Sequence, residues 1–241
     1  MNSSAFYASA YLKTPIIYPR QGFLTLDAVL GAQIMALSGD PSRIASDMPL
    51  AQRHGQWCAS AGFLESVASP MVATFVRGLS DLDFMRAPVA WPEGRRTISS
   101  GPQRGKTLTI PVVDQVRGDY KTCMDKYTAY ACDKVTWYGN GDIERVRGLL
   151  RGVFGVGKKV RHGWGEIESF EIEPLDVDLS LSLEHAGHTR PMRPIPLSVW
   201  VSMGHSSQDQ LVMFCAADLP RWSAPEVECV VPPSKVRDWT F

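Results

Sequence analysis

The sequence contains no run of about 18 consecutive apolar residues, which argues against a membrane-spanning helix. Cysteine is scarce: the five residues are widely spaced and form no C-x-x-C pair, which argues against a disulfide framework and a cysteine zinc site. The first residues, 1–7, lack the basic and apolar regions of a secretory signal. We therefore expect a protein of the reducing cytoplasm whose cysteines are small buried hydrophobes.

Net charge is absent as well, because 25 Lys and Arg residues balance 25 Asp and Glu residues. The charges are nevertheless segregated along the chain. Residues 145–162 contain six Lys or Arg and no acid, whereas residues 164–184 contain seven acids and no Lys or Arg. A neutral chain with such a basic run is expected to carry a localised positive surface.

The basic run ends in a glycine-rich segment, residues 152–165, which holds five glycines, three Lys or Arg, one His and one Trp, and no acid. Glycine allows close backbone approach, Lys and Arg donate to phosphate, and Trp offers a face for stacking a base. This composition favours a partner with a ribose-phosphate backbone. The candidate RNA-binding residues are Gly155, Gly157, Lys158, Lys159, Arg161, His162, Gly163, Trp164, Arg145 and Arg147.

A nucleotide-binding P-loop is a weaker interpretation of the same segment. Gly152, Gly157 and Lys158 match the start of G-x-x-x-x-G-K-[ST], but Lys159 replaces the hydroxyl that binds magnesium. A P-loop also follows a strand, whereas a helix is predicted before this segment.

Histidine chemistry is a second alternative. His162 could act as a general base toward a ribose 2′-hydroxyl, although a hydrogen bond to phosphate needs less precise geometry and is favoured. His185 and His188 are three residues apart, but the sequence offers no third ligand. We therefore predict no metal site and no cofactor.

The pattern of elements predicts an α+β fold, because strands dominate and helices are few. With 241 residues, 44% of them hydrophobic, the chain can bury the core of one large or two small domains. Asp142 is expected to cap a helix after a turn at Gly139-Asn140-Gly141. Gly39-Asp40-Pro41 is expected to stop the helix at Leu26–Leu37. Strands are predicted at Phe6–Lys13, Trp57–Leu64, Val72–Arg77, Phe170–Glu173, Val199–Met203 and Leu211–Phe214, and helices at Leu26–Leu37 and Ile143–Val153.

Residues 78–118 differ in kind, because they combine four prolines and five glycines with basic residues. Leu108, Ile110 and Val112 alternate like a strand that returns to a sheet. We predict an extended, arginine-rich hairpin or long loop that projects from the core; a disordered linker is the alternative. Its central basic residues, which have no acid between them, are Arg95, Arg96, Arg104 and Lys106.

Residues 155–167 resemble the glycine-rich loop of the RAMP superfamily of CRISPR proteins. In that superfamily a G-x-G-K-rich turn ends in an aromatic residue between glycines and continues into a strand. The first strand and the helix opened by Leu24–Leu30 are similar to the first half of a RAMP ferredoxin-like (RRM-like) domain. Together with Pro49-Leu50 and Trp57–Ala61, these features resemble the Cas-five-like subunit (Csf-three) of type IV CRISPR effector complexes.

The resemblance implies a single RAMP domain over residues 1–241, with 78–118 as an inserted thumb-like extension and the proline-rich residues 175–241 packing on the domain. It also implies a non-catalytic subunit that binds and caps the single-stranded five-prime handle of the CRISPR RNA. The implied partners are backbone RAMP subunits, the large subunit and target DNA near the point where the duplex enters, with no membrane contact. Arg95, Arg96, Arg104 and Lys106 would belong to the thumb.

A metal-independent RAMP endoribonuclease with His162 as its base is the alternative within the same superfamily. In RAMP endonucleases the glycine-rich loop lies near the C-terminus, whereas residues 166–241 follow it here. This position favours the structural subunit.

Overall fold

The structure is a computed structural model that describes residues 3–19, 22–77, 93–97, 107–111, 123–185, 187–219 and 224–239. The chain divides into two compact units. One consists of Val72–Tyr127, and the other of Met1–Met71 with Thr128–Phe241. The single RAMP domain with an insertion at 78–118 remains a prediction.

Short strands and few helices make up the described chain. The strands are β1 Ser4–Leu12, β2 Ile16–Ile17, β3 Gln52–Arg53, β4 Gln56–Trp57, β5 Phe63–Glu65, β6 Met71–Arg77, β7 Glu93–Thr97, β8 Thr107–Pro111, β9 Cys123–Tyr130, β10 Lys134–Gly141, β11 Ile167–Pro174, β12 Ser182–His185, β13 His188–Pro191, β14 Ile195–Pro196, β15 Val212–Ala216 and β16 Glu226–Val230. The helices are α1 Leu26–Ser38, α2 Arg43–Asp47, α3 Ile143–Leu150 and α4 Leu197–Ser202. Among the described residues, no helix is long and apolar enough to span a bilayer.

The larger unit is built on a four-stranded sheet in the order β11-β1-β10-β5, with antiparallel neighbours throughout. The four strands of this sheet and the two long helices follow one another along the chain in the order β1-α1-β5-β10-α3-β11. This is a βαββαβ sequence, compatible with a ferredoxin-like fold. The predicted α+β class is confirmed.

Both long helices cover one face of this sheet. Alternate residues of β1, namely Phe6, Ala8 and Ala10, are fully buried against Leu30 of α1 and Leu150 of α3. Period-two alternation in the strand therefore meets the apolar stripe of each helix. This contact forms the main hydrophobic core.

The turn predicted at Gly139-Asn140-Gly141 is wrong, because these residues are the buried end of β10. Gly139 pairs with Phe6 across the sheet. A Cβ at Gly139 would lie 2.5 Å from the Phe6 ring. Glycine is needed here so that the ring can lie over the neighbouring strand, which a local sequence pattern does not distinguish from a turn.

The opposite face of the sheet is covered in part by the C-terminal residues. Phe63 of β5 and Tyr138 of β10 join a second apolar cluster with Leu179, Met192 and Trp239. The rings of Phe63 and Trp239 meet edge to face, with centroids 4.6 Å apart. The sheet therefore lies between two apolar layers over its β10–β5 half.

The strand predicted at Val199–Met203 is also wrong, since Leu197–Ser202 forms α4. Trp200 is fully buried in a third apolar cluster with Cys58 and Val230. Packing of this one large side chain outweighs the strand preference of the valines around it. The strand predicted at Trp57–Leu64 is split into β4 and β5.

The helix boundaries agree with the predicted capping signals. The Asp142 carboxylate accepts a hydrogen bond from the Arg145 backbone N–H at 3.1 Å, as expected of an N-cap. At the end of α1, Gly39 adopts a left-handed φ of 68° and its N–H donates to the Met35 carbonyl. The sequence order of helix, glycine-rich loop and strand is confirmed by α3 and β11.

The smaller unit contains β7 and β8, which pair antiparallel from Glu93 opposite Pro111 to Thr97 opposite Thr107. This pairing agrees with two strands of the predicted hairpin, and its projection from the core stays a prediction. Arg95 and Arg96 lie on β7. Arg104 and Lys106 lie outside the described residues.

A buried ion pair connects distant parts of the larger unit. Arg193 Nη2 donates to the Asp27 carboxylate at 2.9 Å, and both side chains are at most 1% exposed. Arg193 Nη1 also donates to the carbonyl oxygens of Trp57 at 2.6 Å and Ala59 at 3.2 Å. One guanidinium group therefore joins the first turn of α1, the segment after β4 and the C-terminal part of the chain.

Replacing Arg193 with Ala is expected to lower the free energy of unfolding by about 3–5 kcal/mol, because the Asp27 charge stays buried without its partner. The matched control is Arg190→Ala, whose 3.7 Å pair with Asp238 is partly exposed and should cost less than about 1 kcal/mol. Urea denaturation measures both. If Arg193→Ala does not fold, the double variant Asp27→Leu with Arg193→Met should restore most of the stability. Equal costs at the two arginines would contradict the prediction.

Candidate nucleic-acid interface

The glycine-rich segment folds as a closed hairpin between α3 and β11. Gly155 and Glu166 form an antiparallel bridge at its base. Next to the bridge, Val156 N–H donates to the Gly165 carbonyl at 2.9 Å, and Ile167 N–H donates to the Phe154 carbonyl at 3.0 Å. The segment is a defined structure and leads from a helix into a strand, the reverse of a P-loop.

The hairpin is anchored to the residues that connect β1 and β2. Lys158 N–H donates to the Ile17 carbonyl and Gly165 N–H to the Pro15 carbonyl, each at 2.9 Å. Glu166 N–H donates to Thr14 Oγ1 at 2.9 Å. These amides are used within the chain, so they hold the loop in place.

Gly157 explains why part of the segment must be glycine. Its φ is 93°, and a Cβ there would lie 2.7 Å from the Ile17 carbonyl oxygen. The close approach that glycine permits is therefore made to β2 of the same chain.

The tip of the hairpin is a single 3-10 turn, Val160–His162, between left-handed residues Lys159 (φ 62°) and Gly163 (φ 81°). Arg161 and His162 on this turn are exposed, as are Gly163 and Lys158; Lys159 and Trp164 are half-buried. The turn thus displays the basic side chains on the surface of an anchored hairpin. Trp164 contributes as much to the packing of the hairpin as to its surface.

Arg145 and Arg147, also predicted to bind RNA, have partners elsewhere. Arg145 Nη2 donates to the Asp47 carbonyl at the end of α2, at 3.1 Å. Arg147 pairs with Glu144 and donates to the Ile172 carbonyl of β11 at 3.4 Å. The structure therefore holds these two guanidinium groups through α2, α3 and β11, and not through the hairpin.

The β1–β11 half of the sheet presents an acidic surface on the face away from the helices. The Tyr7 hydroxyl donates to Glu173 and the Tyr11 hydroxyl to Glu171, each at 2.8 Å. Burial and the hydrogen bond to Glu173 raise the pKa of Tyr7 to about 12. The two tyrosine hydroxyls stay protonated, and the carboxylates beside them make this face unfavourable for phosphate. The basic tip remains the surface that suits a polyanion.

Comparison with known protein families gives a match for this chain. The family model for CRISPR type IV associated protein Csf3 matches residues 11–181. The chain belongs to the Csf3 family. The matched range includes α1, α3, the glycine-rich hairpin and β11. It ends at Leu181, which belongs to the third apolar cluster. No curated protein matches the chain.

The structure adds two residues that the sequence did not single out in this Csf3-family chain. Phe154 is 71% exposed on the hairpin, an unusual state for a large apolar ring. Gln33 of α1 lies against Gly152. The sequence could have indicated Phe154, because it stands next to Gly155 in the glycine-rich segment. No local pattern connects Gln33 with a loop more than a hundred residues away.

Metal ligands offer no comparable site. Within the part of the chain that the structure describes, no group of three or more His, Cys, Asp or Glu could hold a metal ion. His185 and His188 face each other across the β12–β13 pair.

Gly157→Ala is expected to lower the free energy of unfolding by about 2 kcal/mol, through left-handed strain and the contact with the Ile17 carbonyl. Gly148→Ala is the control: Gly148 lies in α3 with open space at its Cβ position, so alanine should stabilise by about 0.5–1 kcal/mol. Thermal and urea unfolding measure whether the two variants change the free energy of unfolding in opposite directions. A neutral Gly157→Ala would show that the hairpin is not anchored in this way.

Proposed function

We propose that this Csf3-family protein is a non-catalytic subunit of a type IV CRISPR ribonucleoprotein that binds and caps the five-prime handle of the CRISPR RNA. The observation that carries the proposal is the basic tip at Lys158, Arg161 and His162, exposed on a hairpin whose backbone is bonded to β2 and the residues between β1 and β2. Pre-organised cations lose little freedom on binding, which favours affinity for phosphate.

The fold supports the proposal through the position of the hairpin. We take the βαββαβ unit as a RAMP ferredoxin-like domain and the segment at 152–165 as its glycine-rich loop. The acidic face of β1 and β11 disfavours RNA on the open sheet. Single-stranded RNA would therefore lie along the hairpin, where its backbone meets cations and its bases remain available for stacking.

The β7–β8 hairpin is proposed to be the thumb. Arg95, Arg96, Arg104 and Lys106 give this segment a basic character that suits the guide RNA or an acidic surface of a backbone subunit. Contacts with the large subunit, and with target DNA where the duplex enters, complete the proposed assembly.

Salt dependence tests the phosphate contacts. Replacing Lys158, Lys159 and Arg161 together with Ala should weaken binding to a single-stranded CRISPR RNA. The slope of log K against log salt should fall by roughly 0.7 for each phosphate that the variant no longer neutralises. The control variant removes three other cations, Arg43, Arg53 and Arg190. If both variants change the slope equally, or neither changes it, RNA does not bind at the tip.

Cleavage assays test the non-catalytic role. Purified protein incubated with a repeat-containing RNA in the presence of a chelator should leave the RNA intact. His162→Ala should reduce the affinity for RNA by no more than the contribution of one hydrogen bond to phosphate. Metal-independent cleavage that His162→Ala abolishes would instead establish the endoribonuclease, with His162 as general base.

A further inference from the structure

A groove of about 240 Å³ lies between α1 and the first half of the glycine-rich hairpin. The wall on the α1 side is apolar, formed by Ala28, Val29 and Ala32 of the helix and by Leu24 before it, and Gln33 also lines it. The hairpin wall runs from Gly152 to Gly157 and carries the Phe154 ring. An apolar slot with one amide and one aromatic ring is suited to a flat, polar-edged, aromatic ligand.

The backbone of Phe154 is fixed at the base of the hairpin. Its carbonyl accepts the Ile167 N–H at 3.0 Å, at the base of the hairpin, while the ring is 71% exposed. Phe154 also lines a second groove, between α3 and β11, with Arg147 and Arg151. The residue therefore borders two grooves, and its exposed side chain has surface open to a stacking partner.

Basic residues on both sides of the groove favour a flat ligand that carries phosphate groups. Arg151 precedes the hairpin wall and Lys158 follows it, and both are exposed. A base that enters the slot has a phosphate on each side along the chain. The two cations are placed to receive such phosphates, whereas an uncharged aromatic ligand would make no use of them.

Gln33 supplies the polar contact. A methyl group added at Gly152 would collide with the Gln33 Nε2 atom, so the amide lies directly over this glycine. An amide offers both a donor and an acceptor, the combination that reads a base edge. The conflict involves only the end of a flexible side chain, so Gly152→Ala should displace the amide without harming the fold.

We propose that this groove is a nucleobase pocket, in which Phe154 stacks on one unpaired base of the bound RNA and Gln33 contacts its edge. The proposal rests on the proposed RNA-binding function and assigns it a site for reading a base. The basic tip would supply most of the affinity, and the pocket would supply preference among bases.

The test uses fluorescein-labelled oligo(rA), oligo(rC) and oligo(rU) of about eight nucleotides, together with a ribose-phosphate chain of the same length without bases. Phe154→Ala should weaken binding to the oligomer that binds best by roughly 5- to 100-fold, the reduction expected for one base stack. Its affinity for the chain without bases should be unchanged. The control is Phe214→Ala, which removes a ring of similar exposure (66%) on β15.

Gln33→Leu should reduce the spread of affinities among the three oligomers, and Gly152→Ala should reproduce that change. Gln208→Leu, at an exposed position, is the matched control. Unchanged unfolding midpoints would show that Phe154→Ala and Gln33→Leu leave the fold intact.

The proposal is overturned if Phe154→Ala behaves like Phe214→Ala, or if it weakens binding of the chain without bases as strongly as binding of the others. It is also overturned if Phe154→Ala spares RNA binding but no longer co-purifies with other type IV subunits, since the ring would then contact protein. These outcomes leave the salt-slope result for Lys158, Lys159 and Arg161 intact. Failure of the pocket is therefore distinct from failure of RNA binding itself.

Discussion

The buried pair between Arg193 and Asp27 is the interaction on which the arrangement of the larger unit depends. Asp27 lies in the first turn of α1, so its charge also favours the amino end of that helix. Arg193 brings the C-terminal part of the chain to this point and satisfies two carbonyl groups at and after the end of β4. Because α1 forms one wall of the groove at the hairpin, the position of that wall depends on the ion pair made at the first turn of the same helix.

The glycine-rich hairpin separates two roles within one short segment. Its inner residues contact the chain around β2. The Gly165 N–H donates a hydrogen bond to the Pro15 carbonyl, and Gly157 approaches the Ile17 carbonyl closely. Its outer residues, Arg161 and His162, are exposed on a turn that these contacts hold. Rigid support beneath exposed cations is the physical basis for the proposed binding of an RNA backbone. The acidic face of β1 and β11 directs a polyanion to the same place.

Sequence patterns succeeded where the deciding contact is local. The Asp142 cap, the Gly39 helix end and the alternation of β1 depend on neighbours within a few residues. Patterns failed where a distant side chain decides: Phe6 requires Gly139 inside a strand, and the burial of Trp200 makes a helix of a segment rich in valine. Arg145 and Arg147 were grouped with the loop by charge, and the structure adds that they have partners on α2, α3 and β11. Their predicted role in RNA binding stays a prediction.

The sequence by itself determined the α+β class, the basic hairpin between a helix and an acidic strand, and the family resemblance that the Csf3 match bears out. These features follow from composition, residue spacing and short-range periodicity. Only the tertiary structure decided which glycines serve packing, which cations face outward, and that Gln33 and Phe154 share a groove. Such proximity arises when sheet pairing and helix packing bring together segments that no local pattern connects.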